Sequence, residues 1–149
     1  MCEQSLLTEV KIDQVLGYYA AGQTKRVSDI VDMAGYEGVL FVAELGTIIE
    51  NGTVDVFVEQ HTLNQTSGMA RLATTTVHTV TAANATLAKS AIAVDVYRPK
   101  ERYLQANITP ATQNAVILGV TAIRYRGVIK PDANADLLKS TQLTSPAEA

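Results

Sequence analysis

Apolar and polar positions alternate with period two along much of this chain, most plainly from Ala91 to Gly127. Ile92, Val94 and Val96 alternate with Ala93, Asp95 and Tyr97, the pattern of a strand with one face toward a core. Arg98-Pro99-Lys100-Glu101 interrupts it, because proline fixes φ and removes a ladder donor. Leu104, Ala106 and Ile108 then alternate with Tyr103, Gln105 and Asn107. After a break from Thr109 to Asn114, the segment Ala115 to Arg126 is apolar on both faces through Val120 and half-polar beyond it. Gly119 within it predicts a bulge or a close approach of backbone. Two short reversals make an antiparallel meander the simplest arrangement of these three segments.

The rest of the chain reads in the same way. Leu6 to Leu16 fits neither period cleanly; it reads as a strand around Thr8 to Ile12 or as a short helix, followed by a loop through Tyr18, Tyr19 and Gly22. Thr24 to Asp32 reads as a strand, and Met33 to Gly38 as a turn with two glycines. Val39 to Ala43 is a continuous apolar run, short and rich enough in β-branched residues to be a buried strand. Asn51-Gly52 tolerates positive φ at both central positions and predicts a hairpin into Val54, Val56 and Val58, with Asp55, Phe57 and Glu59 on the opposite face. A polar loop (His61 to Met69), a threonine-rich strand (Leu72 to Thr81) and one helical turn (Ala82 to Ser90) follow. Seven or eight strands with little helix define a single-domain, all-β antiparallel sandwich or barrel, with a jelly roll as the preferred topology. Residues 1–22 form an arm or first strand, 23–130 the core, and 131–149 an extended tail rich in Ala, Asp, Ser, Thr and Pro. Such a tail has little to bury, so its order in an assembly would come from a neighbouring subunit, with Leu137, Leu138 and Leu143 as anchors.

Composition narrows the function classes. The chain has 149 residues, 47% hydrophobic and 18% charged, enough for one real core. A net charge of −3 lacks the basic face of a nucleic-acid binder. No apolar run reaches membrane-spanning length, and no basic-then-apolar leader opens the sequence. Cys2 is the single cysteine, so no internal disulfide and no cysteine-built metal site is available. His61 and His78 lack further ligands at zinc spacing and read as structural or solvated. Asp55 and Glu59 share a strand face, as paired acids of a glycosidase would, but no tryptophan platform accompanies them and a solvated face is the preferred reading. No Gly-x-Ser-x-Gly elbow, P-loop or dinucleotide fingerprint occurs, so no catalytic residue, metal or cofactor is expected. Four Asn-x-Ser/Thr sequons lack a secretion signal and read as chance. Arg98 and Arg102 flank Pro99 with Lys100, and Arg124 and Arg126 project from the end of the last strand. Each group reads either as a solvated turn or as an inter-subunit salt-bridge site.

Four segments carry a family resemblance. Asp32 to Phe41 (DMAGYEGVLF), Val96 to Tyr103 (VYRPKERY), Ala111 to Val116 (ATQNAV) and Ser145 to Glu148 (SPAE) resemble, in the same order, segments of small proteins encoded among tailed-phage head genes. The stretch from His61 to Ser90 matches only loosely. The family is identified as capsid decoration, or cement, proteins. The resemblance implies a non-enzymatic minor capsid protein, made in the host cytoplasm. It would bind major capsid protein on the outer head surface and self-associate, often as a trimer. A head–tail connector, a tail terminator, a tail-tube subunit and, further off, a glycan-binding sandwich are the alternatives.

Overall fold

A computed structural model describes residues 6–72, 77–82 and 89–127. After one helical turn (α1, Leu6–Glu9), strands β1 (Lys11–Leu16), β2 (Tyr19–Gly22), β5 (Gly38–Ile48), β9 (Ser90–Tyr97) and β11 (Ala115–Tyr125) make one sheet. Its order is β1-β11-β5-β9, with β2 pairing the other end of β11. Strands β3 (Arg26–Val27), β4 (Val31–Asp32), β6 (Thr53–His61), β7 (Ala70–Arg71), β8 (Val77–Thr79) and β10 (Tyr103–Ala111) make the second. There β10 pairs with β3, β4 and β6, and β6 continues to β7 and β8. All pairings are antiparallel.

The pairs nest. The strands β1 with β11, β3 and β4 with β10, β5 with β9, and β6 with β7 and β8 are successive rungs of one long hairpin wound into two layers. That is a jelly roll, and its sheets face each other without closing into a barrel. The inward faces supply one continuous core, with Phe41, Leu45, Val54, Leu104, Ile108 and Ile117 among its largest fully buried members. Ile92, Val94 and Val96 pack on it from β9, whose burial alternates along all eight residues.

Winding overturns the meander. The strands β9, β10 and β11 do not pair with one another; β9 and β11 flank β5, and β10 lies in the opposite sheet. Alternation shows which face a strand buries and says nothing about its neighbour. The five residues from Arg98 to Arg102 can cross the roughly 10 Å between packed sheets, so they need not turn a hairpin. The same reason removes the hairpin at Asn51-Gly52. The turn exists, with Asn51 at φ 67° and Gly52 N–H donating to Ile49 O at 3.0 Å, but it is a corner from one sheet to the other. Only Asn51 takes positive φ there, not both central residues.

Other boundaries shift too. Thr8 lies in the helical turn and the first strand starts at Lys11, while Tyr19–Gly22 pairs with β11 instead of looping. Thr24 to Asp32 splits into β3 and β4 around Ser28, whose hydroxyl takes the Ala106 N–H at 2.9 Å. Gly38 opens β5 instead of closing the turn. Gly119 is both a bulge and a close approach: the register with β5 shifts on either side of Ile117, φ at Gly119 is 158°, and a Cβ there would lie 2.9 Å from the Leu16 carbonyl oxygen. Residues 83–88 of the expected helical turn over Ala82 to Ser90, residues 73–76 of the threonine-rich strand and the tail from 131 onward lie outside the described residues, while Ser90 already opens β9.

Candidate functional site

The two longest resemblance segments, 64 residues apart at their starts, meet at one end of the sandwich. Met33 to Glu37 forms one wall of a cleft of about 440 Å³, and Arg98 to Arg102 forms the other. Local chemistry builds the first wall. Asp32 Oδ1 accepts the Ala34 N–H at 2.9 Å, an Asx turn, and Tyr36 N–H donates to Met33 O at 3.0 Å. Gly35, at φ 83°, occupies the turn position that demands positive φ. The second wall leaves β9 through Arg98, whose φ of 51° places a non-glycine residue in the left-handed region.

Four arginines tie this end together. Arg102 grips Asp32 bidentately, with Nε to Oδ1 at 2.8 Å and Nη2 to Oδ2 at 2.9 Å. That hydrogen bond is the main cause holding the Asp32 carboxyl below its ordinary range; partial burial opposes it, and Ala34 and Arg124 reinforce it. The Arg102 guanidinium is correspondingly raised. Arg124 donates from Nη1 to the Asp32 carbonyl at 2.7 Å and from Nη2 to Asp13 on β1, with Tyr36 5.0 Å from its guanidinium. Its side chain is only 15% exposed, so this pair is the least screened of the set.

Glu37 is clasped on three sides. Its carbonyl accepts the Arg98 N–H at 2.7 Å, its N–H donates to Tyr125 O at 3.2 Å, and its carboxylate faces Arg98 at 3.9 Å and Arg126 at 3.5 Å. Arg126 also donates to the Tyr97 hydroxyl at 3.3 Å and, like Arg98, has positive φ, at 52°. Tyr125 donates to Asp95 Oδ1 at 2.6 Å; burial first, then that bond, push its phenol up to about 12.

All four arginines singled out in the sequence therefore gather at one end, each engaged within the chain on Asp13, Asp32 or Glu37. Leu137, Leu138 and Leu143 lie outside the described residues. The carboxylates were not foreseen; their signal was three acids in or near strands that no core role explains. Elsewhere, Asp55 binds Arg71 at 3.0 Å and Glu59 stands across from Arg71 in register. Phe57 between them carries Arg71 at 4.0 Å and Lys25 at 5.3 Å over its ring. Four positions along a strand put these two acids ~13 Å apart, wider than either glycosidase geometry. His61 Nδ1 accepts the Leu63 N–H at 2.7 Å and so shapes the loop that follows β6.

No protein-family model matches the chain, and no curated protein matches its sequence.

Proposed function

We propose that this chain is a structural component of a tailed-phage head, a decoration protein that binds major capsid protein from outside and stiffens the shell. The observation that carries the reading is the convergence of Asp32 to Phe41 with Val96 to Tyr103, the two longest segments of the resemblance, in one cross-linked end of the sandwich. An arginine–carboxylate lattice of this kind fixes shape. It offers a rigid corner with exposed cations: Arg98 and Arg102 retain exposed side chains, and Lys100 is exposed beside them. A rigid body making many modest contacts suits a closed shell, where repeated weak interfaces add through multivalency. The protein acts without catalysis, as a self-associating minor capsid component on the virion surface.

The test uses expanded heads lacking the chain. Purified protein is added, the heads are pelleted, and bound copies are counted against major capsid protein. Saturable binding on the order of hundreds of copies per head supports the reading. Absence of binding contradicts it, and so does a single ring's worth of copies at one vertex, which would mark a connector.

A further inference from the structure

A jelly roll has four sheet edges, and three of them are interrupted here. The strand β1 is bulged between Gln14 and Leu16. The β3/β4 edge consists of two-residue pieces separated by Ser28 to Ile30, and along the β7/β8 edge the register with β6 shifts between Glu59↔Arg71 and Asp55↔Val77. Short and broken edge strands are how sheet proteins prevent unwanted pairing. The fourth edge is different. The strand β9 runs eight residues, in unbroken register with β5 from Leu45↔Ser90 to Gly38↔Tyr97, with neither glycine nor proline. Among the described residues no strand pairs with its other side. Every second backbone N–H and C=O along it therefore points away from the sheet.

Its sequence is complementary to itself. From Lys89 to Asp95 the chain reads KSAIAVD, centred on Ile92. Antiparallel pairing of two copies about that centre sets Lys89 opposite Asp95, and Ala91 opposite Ala93, twice each by symmetry. Lys89, Ala91, Ala93 and Asp95 are all exposed, so the outer face offers two opposite-charge pairs with only methyl groups between them. Asp95 accepts from Tyr125 through Oδ1, which leaves Oδ2 for a partner lysine. Ile92 and Val94 on the other face already pack on the core, and pairing would carry that core across the junction.

We infer that β9 is a homodimer contact: two copies join edge to edge, antiparallel about Ile92, with reciprocal Lys89–Asp95 ion pairs. Such an isologous contact is two-fold, unlike the trimer that the family resemblance implies. It stands independently of the capsid reading.

Sedimentation velocity of the full chain across micromolar concentrations tests it. The wild type is expected to dimerise. Lys89→Asp and Asp95→Lys each set like charges opposite one another twice, and each is expected to weaken the dimer at least tenfold. The double variant restores the attraction and should return dimerisation to within about threefold of wild type. Circular dichroism confirms that each variant is folded. If a single swap fails to fold, register is tested in a Cys2→Ser background. Oxidation of a mixture of Ala91→Cys and Ala93→Cys chains should yield far more disulfide-linked dimer than either chain alone. A monomeric or trimeric wild type, single swaps without effect, or linkage no greater in the mixture than in the separate chains would each overturn the inference.

Discussion

Arg124 and Arg98 belong to the same arginine cluster, yet the structure gives them very different weights. Replacing Arg124 with Met keeps the aliphatic stem and removes the guanidinium. Lost with it are the 2.7 Å hydrogen bond to the Asp32 carbonyl, the ion pair with Asp13 and the contact with the Tyr36 ring. Charge-assisted hydrogen bonds contribute about 1.5–3 kcal/mol each when unscreened. With the arginine 15% and Asp13 21% exposed, some screening applies, but Asp13 is left half-buried without its cation. The expected cost is about 2–4 kcal/mol, equivalent to a melting temperature lower by ~6–12 °C for a chain of this size. Arg98→Met is the control in the same cluster. Its pair with Glu37 spans 3.9 Å at 70% exposure, and the change should stay within about 0.5 kcal/mol. Urea unfolding followed by circular dichroism measures both, as midpoint shifts at constant slope. If Arg124→Met costs under ~1 kcal/mol, or if the two variants cost the same, then burial does not rank these arginines and the lattice is ornamental.

Other outcomes follow from the same geometry. Asp32 has a depressed folded pKa, so its stabilising contribution is present above the unfolded value near 3.8 and is lost as pH falls below it; Arg102→Met should flatten stability against pH below about 4 in acid titrations. Tyr125, raised to about 12, contributes stability that is full below pH 10 and lost between about 10 and 12; ultraviolet titration should show a lagging phenol that is absent in Tyr125→Phe. Gly119→Ala places a Cβ 2.9 Å from the Leu16 carbonyl at a φ of 158° and should cost about 1–3 kcal/mol by denaturant unfolding, whereas Gly17→Ala, with nothing within 4 Å, should cost far less.

Much of the fold was legible because burial leaves a periodic trace. Ile92, Val94 and Val96, like Leu104, Ala106 and Ile108, fall on the inward face as their alternation requires. Partnership between strands left no such trace, so the meander and the Asn51-Gly52 hairpin were read where the chain changes sheets. Alternation puts Gln105 and Asn107 on the face opposite Leu104, Ala106 and Ile108 but does not say what covers that face; both are buried, Gln105 donating to Ser28 O at 2.7 Å and Asn107 fully enclosed and in register with Phe57, on an interior strand of the sheet. At the candidate site the four arginines stood out as clustered cations. Their partners did not: Asp32 is 70 residues from Arg102, and Asp13 is 111 from Arg124, distances over which only the wound topology brings charges together.

The proposed role is mechanical: reinforcing a phage head against the pressure of its packaged genome. Its most direct test is genome release from heated virions made with and without the protein. The account predicts release at a lower temperature from particles lacking it, with resistance restored when purified protein is added back. Identical release profiles for the two kinds of particle would contradict it.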